Sequence, residues 1–260
     1  MLSIYKIVGI GLTSWLLSAG ASHAQLKTSP ADSEEDNYQS VTTFGVTTNT
    51  NSGLLGGFVF RQSKRLPSTF LGRPQYRYLA VEVVNVKHPK EVQQSVNFSG
   101  SRFTYGKENY LFVVRPQYGR EISLFQRNAD EGISINAVLA AGPSLGIVKP
   151  YYVEVNEGNN RTRIVAASSL SGKPGQPGTG AQPTGSGGFF RGFGESKLAV
   201  GANVKASLNF ELSAFRNNTT GLEIGFLAEL FPQQITIMTG ADKRAFYSSG
   251  YVTLFFGSKK

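Results

Sequence analysis

Seven charged residues stand where an extended strand would turn them all to one side: Arg61, Glu82, Arg115, Lys205, Glu211, Glu223 and Glu229. Both signs are present, so these side chains can pair with one another or line a polar passage. Catalysis has far less to work with. The 260 residues include two histidines, His23 and His88, and no cysteine. That excludes a thiol nucleophile, a disulfide framework, a Cys-ligated zinc site and a lipidated N-terminal cysteine. A serine nucleophile needs a base within hydrogen-bond reach of its hydroxyl. The segment Val86-Lys87-His88-Pro89-Lys90 has no adjacent serine, and His88 reads as a solvated loop residue. So few imidazoles without thiolates cannot build a zinc or copper site. Asp130 and Glu131 could meet calcium, but Asn128-Ala129-Asp130-Glu131-Gly132 reads better as a turn. The glycines of GVTTNTNSGLLGG (45–57) and GFFRGFGES (188–196) lack the strand–GxGxxG–helix context of a nucleotide site. The expectation is a non-enzymatic protein with no catalytic, cofactor-binding or metal residues.

The elements that would position the seven charges begin after an address. Residues 1–24 carry one cation, Lys6, then an apolar run from Ile7 to Leu17 and small residues ending Ser22-His23-Ala24 before Gln25. This is the pattern of a cleaved secretory signal peptide. Its apolar core is shorter than the ~20 residues a spanning helix needs. Cleavage after Ala24 removes Trp15, the only tryptophan, and His23, leaving a formal charge of +8 from 25 basic and 17 acidic residues. Export and the scatter of Lys and Arg argue against nucleic acid as the partner of that charge.

Alternation dominates the rest of the chain. Leu198, Val200, Ala202, Val204, Ala206, Leu208, Phe210 and Leu212 occupy every second position, with small or polar residues between them. Period two with two unlike faces is a strand. Its length exceeds the usual five or six residues of a globular strand and suits a tilted membrane-crossing one. Residues 220–231, 133–147 and 248–257 repeat the pattern, and weaker alternation marks 41–49, 54–64, 76–87 and 108–118. Charges on 17% of residues fall below the ~25% usual for soluble domains. Eight long strands, apolar on one side and small or polar on the other, predict an all-β, eight-stranded antiparallel transmembrane β-barrel, because a sheet edge finds no hydrogen-bond partner in lipid. An extra pair within 119–132 or 149–170 would make ten. The inverted reading, a soluble exported barrel or sandwich with the apolar face as a ligand-binding core, has the same periodicity.

The connections are uneven. Taking the N-terminus as periplasmic, loops near 50–53, 88–107, 149–196 and 232–247 lie on one side, and connections at 65–75, 119–132 and 213–219 on the other. The domain organisation expected is a signal peptide at 1–24, a polar leader at 25–40, a barrel at 41–257 with a long flexible outer loop at 149–196, and a tail at 258–260. Residues 171–188, SGKPGQPGTGAQPTGSGG, are too poor in apolar residues to fold alone.

The signal ending at Ala24-Gln25, TGLEIGFLAELFP (220–232) and the closing SGYVTLFFG (249–257) resemble the small outer-membrane β-barrel proteins of Gram-negative bacteria, the OmpA/OmpX-like, porin-like group and its Bacteroidetes-type members. The resemblance implies location in the cell outer membrane and recognition of the last strand by the outer-membrane insertion machinery, with Tyr251, Leu254 and Phe256 at the matching positions. Phe256 is followed by Gly-Ser-Lys-Lys where the family pattern ends the chain. Barrel enzymes that deacylate lipid A pair His and Ser two residues apart, whereas the residue two after His88 is Lys90.

Eight strands enclose a space that side chains nearly fill. Charges there must pair, so a salt-bridged plug is the first reading and a narrow gate for small solutes the second. Tyr76, Tyr78, Tyr110, Tyr118, Tyr151, Tyr152 and Tyr247, near strand ends, suit interfacial girdles. Lys149, Arg161, Arg163, Lys173 and Arg191, in the longest outer loop, could pair with lipopolysaccharide phosphates. The function expected is a structural or surface-interaction role in the outer membrane.

Overall fold

A computed structural model describes residues 38–95, 102–126, 133–156, 161–170, 182–212, 218–241 and 243–260. The signal segment, nearly all of the polar leader, Asp130, Glu131 and Lys173 lie outside these. The strands are β1 (Ser40–Asn49), β2 (Gly53–Phe70), β3 (Arg73–Val86), β4 (Gln93–Ser95), β5 (Arg102–Thr104), β6 (Asn109–Phe125), β7 (Ser134–Pro150), β8 (Tyr152–Asn156), β9 (Thr162–Ala166), β10 (Gln182–Ser186), β11 (Lys197–Glu211), β12 (Asn218–Ile235) and β13 (Arg244–Lys259). Eight of them close a ring in the order β1-β13-β12-β11-β7-β6-β3-β2, each antiparallel to its neighbours. The barrel has the eight strands the alternation predicts.

The pairing fixes the tilt. Ser40 stands opposite Lys64, then Arg77, Arg120, Leu139, Ala206, Phe226 and Gly250 in turn around the ring. Gly250 meets β1 again at Thr50, whose N–H it accepts at 3.0 Å. The circuit therefore returns ten residues (50 minus 40) from its start. Such a stagger obliges the strands to tilt, typically by roughly 35–45°.

The two faces are sorted by parity. Phe44, Phe58, Phe60, Val81, Leu139, Val204, Leu208, Ile224, Leu230 and Leu254 point outward; Phe58 is 69% exposed and Phe226 76%. The positions between them turn inward and are buried. The inverted arrangement, with the apolar set as an internal core, is not the one adopted.

Both chain ends of the described barrel and the β2–β3, β6–β7 and β11–β12 connections share one end, here the termini end. The β1–β2, β3–β6, β7–β11 and β12–β13 connections share the other, the loop end. Two connections are shorter than the sequence suggested. The segment 65–75 is nearly all strand: β2 runs to Phe70, β3 resumes at Arg73, and Leu71 and Gly72 make the turn with φ of 51° and 74°. Two positive φ values in succession are the signature of a two-residue type I′ hairpin. Pro67 falls within an irregularity of the pairing between Arg65 and Thr69, and Pro74 stands opposite Thr69 where the pairing resumes. Likewise β6 continues to Phe125, with its irregularity between Ser123 and Phe125.

The stretch 149–196, which has no alternation of barrel length, contains β8, β9 and β10 in a separate three-stranded sheet of order β10-β8-β9. Its core is Tyr151, Val153, Val155 and Ala167. A second accessory hairpin pairs β4 with β5. These strands add nothing to the barrel ring, which stays at eight.

Candidate functional site

The barrel interior is built by inward-facing residues that lie near one another because strands cross the ring. Near its middle, Glu223 on β12 gathers four partners. Arg61 Nη1 on β2 lies 3.0 Å from Oε2, and Lys205 Nζ on β11 lies 2.9 Å from Oε1. Ser207 and Tyr251 donate hydroxyls to the same Oε1 at 2.9 and 2.6 Å. Arg61 also donates from Nε to Thr43 Oγ1 at 2.7 Å, and its guanidinium stacks 4.1 Å from the centre of the Phe255 ring. Lys205 lies 5.3 and 5.1 Å from the ring centres of Tyr78 and Tyr251.

Toward the loop end a second layer forms around Arg115 of β6. Its Nε and Nη2 donate to the two oxygens of Glu229 at 2.8 Å each, a bidentate pair. Arg115 Nη1 is 3.7 Å from Glu82 on the adjoining β3. Ser144 donates to Glu229 at 2.6 Å, Asn203 donates to Ser144 at 3.0 Å, and Gln117 donates to Asn203 at 2.9 Å. Toward the termini end, Glu121 accepts from Asn136 at 3.0 Å, from Asn209 at 3.2 Å and from Ser63. Glu211 pairs with Lys259 at 2.5 Å, and Lys259 stands 4.6 Å over the Tyr38 ring.

An apolar cap closes the loop end. Val84, Val86, Leu111, Val113, Ala199, Phe231 and Tyr247 turn inward from the wall, joined by Ile235 at the end of β12, and Ile237 and Met238 fold in from the β12–β13 connection. Small residues make room for the rings. A Cβ on Gly201 would come within 2.7 Å of the Phe231 ring, and one on Gly221 within 2.4 Å of the Phe255 ring.

All seven charged residues singled out from sequence are thus buried inside the ring. Arg61, Lys205 and Glu223 meet in one layer, Glu82, Arg115 and Glu229 in another, and Glu211 lies apart with Lys259. Sequence reasoning missed Glu121, Lys259, Tyr78 and Tyr251 as interior partners. Parity would have found Glu121, which shares the inward frame of Arg115 and Gln117 once β6 is extended.

Parity also corrects the tyrosine girdle. Tyr76, Tyr78, Tyr151 and Tyr247 are buried, not interfacial. Tyr76 and Tyr78 alternate with the outward Leu79, Val81 and Val83, so nearness to a strand end could not place them in lipid. Tyr118, 54% exposed, does face outward. On the last strand Leu254 and Phe256 face outward, while Tyr251 faces the interior.

His88 is buried rather than solvated: its Nδ1 accepts from the Lys90 N–H at 3.1 Å, and its own N–H donates to Glu91 at 3.0 Å. Both contacts fold the loop. Among the described residues no group of three or more His, Asp or Glu is arranged to hold a metal. Of the loop cations, Arg161, Arg163 and Arg191 are exposed. Lys149 is fully buried, with Nζ donating to the carbonyls of Phe189 and Arg191 at 2.7 and 2.8 Å and enclosed by Tyr110, Phe189 and Phe193. It has no face left for an external phosphate.

No family model matches the sequence, and no curated protein matches it. Solved structures are similar to it, two of them as follows. One is Ail, the attachment invasion locus protein of Yersinia pestis, in complex with the heparin analogue sucrose octasulfate, at 10% identity and a TM-score of 0.36, covering 85% of this chain and 97% of that one. The other is Neisserial surface protein A (NspA), at 7% identity and a TM-score of 0.37, covering 85% of this chain and 96% of that one. Both are small outer-membrane barrels of Gram-negative bacteria.

Proposed function

We propose that this chain is an integral, non-enzymatic protein of the Gram-negative outer membrane, exported with residues 1–24 as a cleaved signal, with a structural and surface-interaction role. One observation carries this reading: the barrel presents an apolar outer wall over an interior of paired charges. Water rewards the opposite arrangement, and a bilayer rewards this one, because a closed ring leaves no sheet edge unpaired in hydrocarbon. The termini end then faces the periplasm, and the loop end, with the β8–β10 sheet, faces outward. Arg161, Arg163 and Arg191 are the cations placed to meet lipopolysaccharide phosphates there. Leu254 and Phe256 on the outer wall, with Tyr251 inside, are the candidate insertion signal.

A filled interior weighs toward a plug and against permeation. Each carboxylate in it meets a cation or several neutral donors, as low dielectric demands, and the apolar cap closes the loop end separately. The test is heat-modifiability. Detergent-purified protein should change gel mobility on boiling and stay with membranes in alkaline carbonate. Release by carbonate together with no mobility shift would overturn the membrane reading.

A further inference from the structure

Three cations stand side by side on the outer wall near the termini end. Lys64 of β2 is directly opposite Arg77 of β3, and Arg77 is directly opposite Arg120 of β6. All three share the outward parity of Phe60, Leu79 and Tyr118 on the same strands. Lys64 and Arg120 are exposed and Arg77 is half-buried. Among the described residues, no carboxylate forms an ion pair with any of them.

Like charges directly opposite one another on a sheet face repel and destabilise the pairing. A row of three therefore calls for an anion from outside the chain. The position says which kind. On β3 the outward residues flanking Arg77 are Leu79 toward the loop end and Gln75 and Arg73 toward the termini end, so the row starts at the wall's termini-end margin. On β6 Arg120 stands between Tyr118 and Ile122, within the wall, and its long side chain reaches back toward that margin. A guanidinium binds a phosphate through two parallel N–H donors, and an ammonium binds it as a point charge. Long cationic side chains at such a margin lay their stems on apolar surface and reach for the headgroups.

We infer that Lys64, Arg77 and Arg120 form a binding row for the phosphate headgroup of an anionic glycerophospholipid in the leaflet at the termini end. This rests on the membrane reading above. Lipopolysaccharide is not the occupant, because the row lies at the end of the barrel opposite the long loops.

The experiment inserts the full mature chain into vesicles of phosphatidylcholine mixed equally with phosphatidylglycerol. The lipids retained after gentle detergent release are then identified by native mass spectrometry. The wild type should retain phosphatidylglycerol in preference by roughly tenfold, and the triple variant Lys64→Gln/Arg77→Gln/Arg120→Gln should lose most of that preference. Added salt should weaken the wild-type preference, as it screens an exposed charge contact. The variant Arg161→Gln/Arg191→Gln, at the other end, should keep it. Equal retention of the two lipids by the wild type, or an unchanged preference in the triple variant, overturns the binding row. Boiling shifts run on the same samples separate the two ideas. A barrel that shifts on boiling but shows no preference loses the row alone; a chain that never enters the vesicles overturns the membrane reading and the row with it.

Discussion

Arg115 and Glu229 face each other across the interior with both guanidinium–carboxylate contacts at 2.8 Å, although β7 and β11 lie between their strands in the ring. The pair ties opposite walls together. Arg61 and Glu223 do the same between β2 and β12, with β1 and β13 between them.

Removing one partner of such a pair leaves a buried charge uncompensated. Arg115→Met leaves both Glu82 and Glu229 without their cation and should therefore cost about 3–5 kcal/mol, whereas the apolar triple replacement Glu82→Met/Arg115→Met/Glu229→Met, which leaves no charge in the layer, should cost much less. Urea titration of the heat-modifiable fraction measures both. Equal losses for the single and triple variants would mean that packing, not charge pairing, dominates this layer.

Lys149 ties the 189–191 segment to the end of β7 through two carbonyls. Methionine keeps the stem but supplies no donor, so Lys149→Met should free this segment while the barrel keeps its boiling shift. Limited proteolysis should show new cuts within 187–196. An unchanged digestion pattern would assign the anchoring to Phe189 packing on Tyr110 and Phe112 instead.

Gly146 lies beside the Phe231 ring, which is the nearest atom a Cβ there would meet, at 3.2 Å. Gly146→Val drives a side chain into that ring, and overpacking of this kind costs roughly 1–3 kcal/mol. Gly146→Val/Phe231→Leu should recover part of the loss. If the double variant is no better than the single one, the steric account fails.

In planar bilayers the wild type should show no discrete conductance steps. Glu82→Gln should be equally silent, because the cap of Phe231, Ile235, Ile237, Met238 and Tyr247 closes the loop end independently of the charges. Steady steps from the wild type would restore the permeation reading.

The barrel was legible in the residues alone. Period-two alternation in eight segments assigns a face to each residue, so the outward phenylalanines and the inward Arg61, Arg115, Lys205 and Glu223 come from parity once the strands are recognised. The same pattern also held, unused, the inward frame of Tyr78 and Glu121. Which residues meet across the interior was not legible. Parity gives a face but not a height, and height depends on the ten-residue stagger of the ring, a sum over all eight strand registers. That sum sets Arg115 against Glu229 and Arg61 against Glu223. The stretch 149–196 was illegible for a different reason. Its strands are five residues long, and they are held by Tyr151, Val153, Val155 and Ala167 packing together. Only tertiary contact decides that such short segments are sheet rather than loop, and that Lys149 is an internal tether rather than a surface charge.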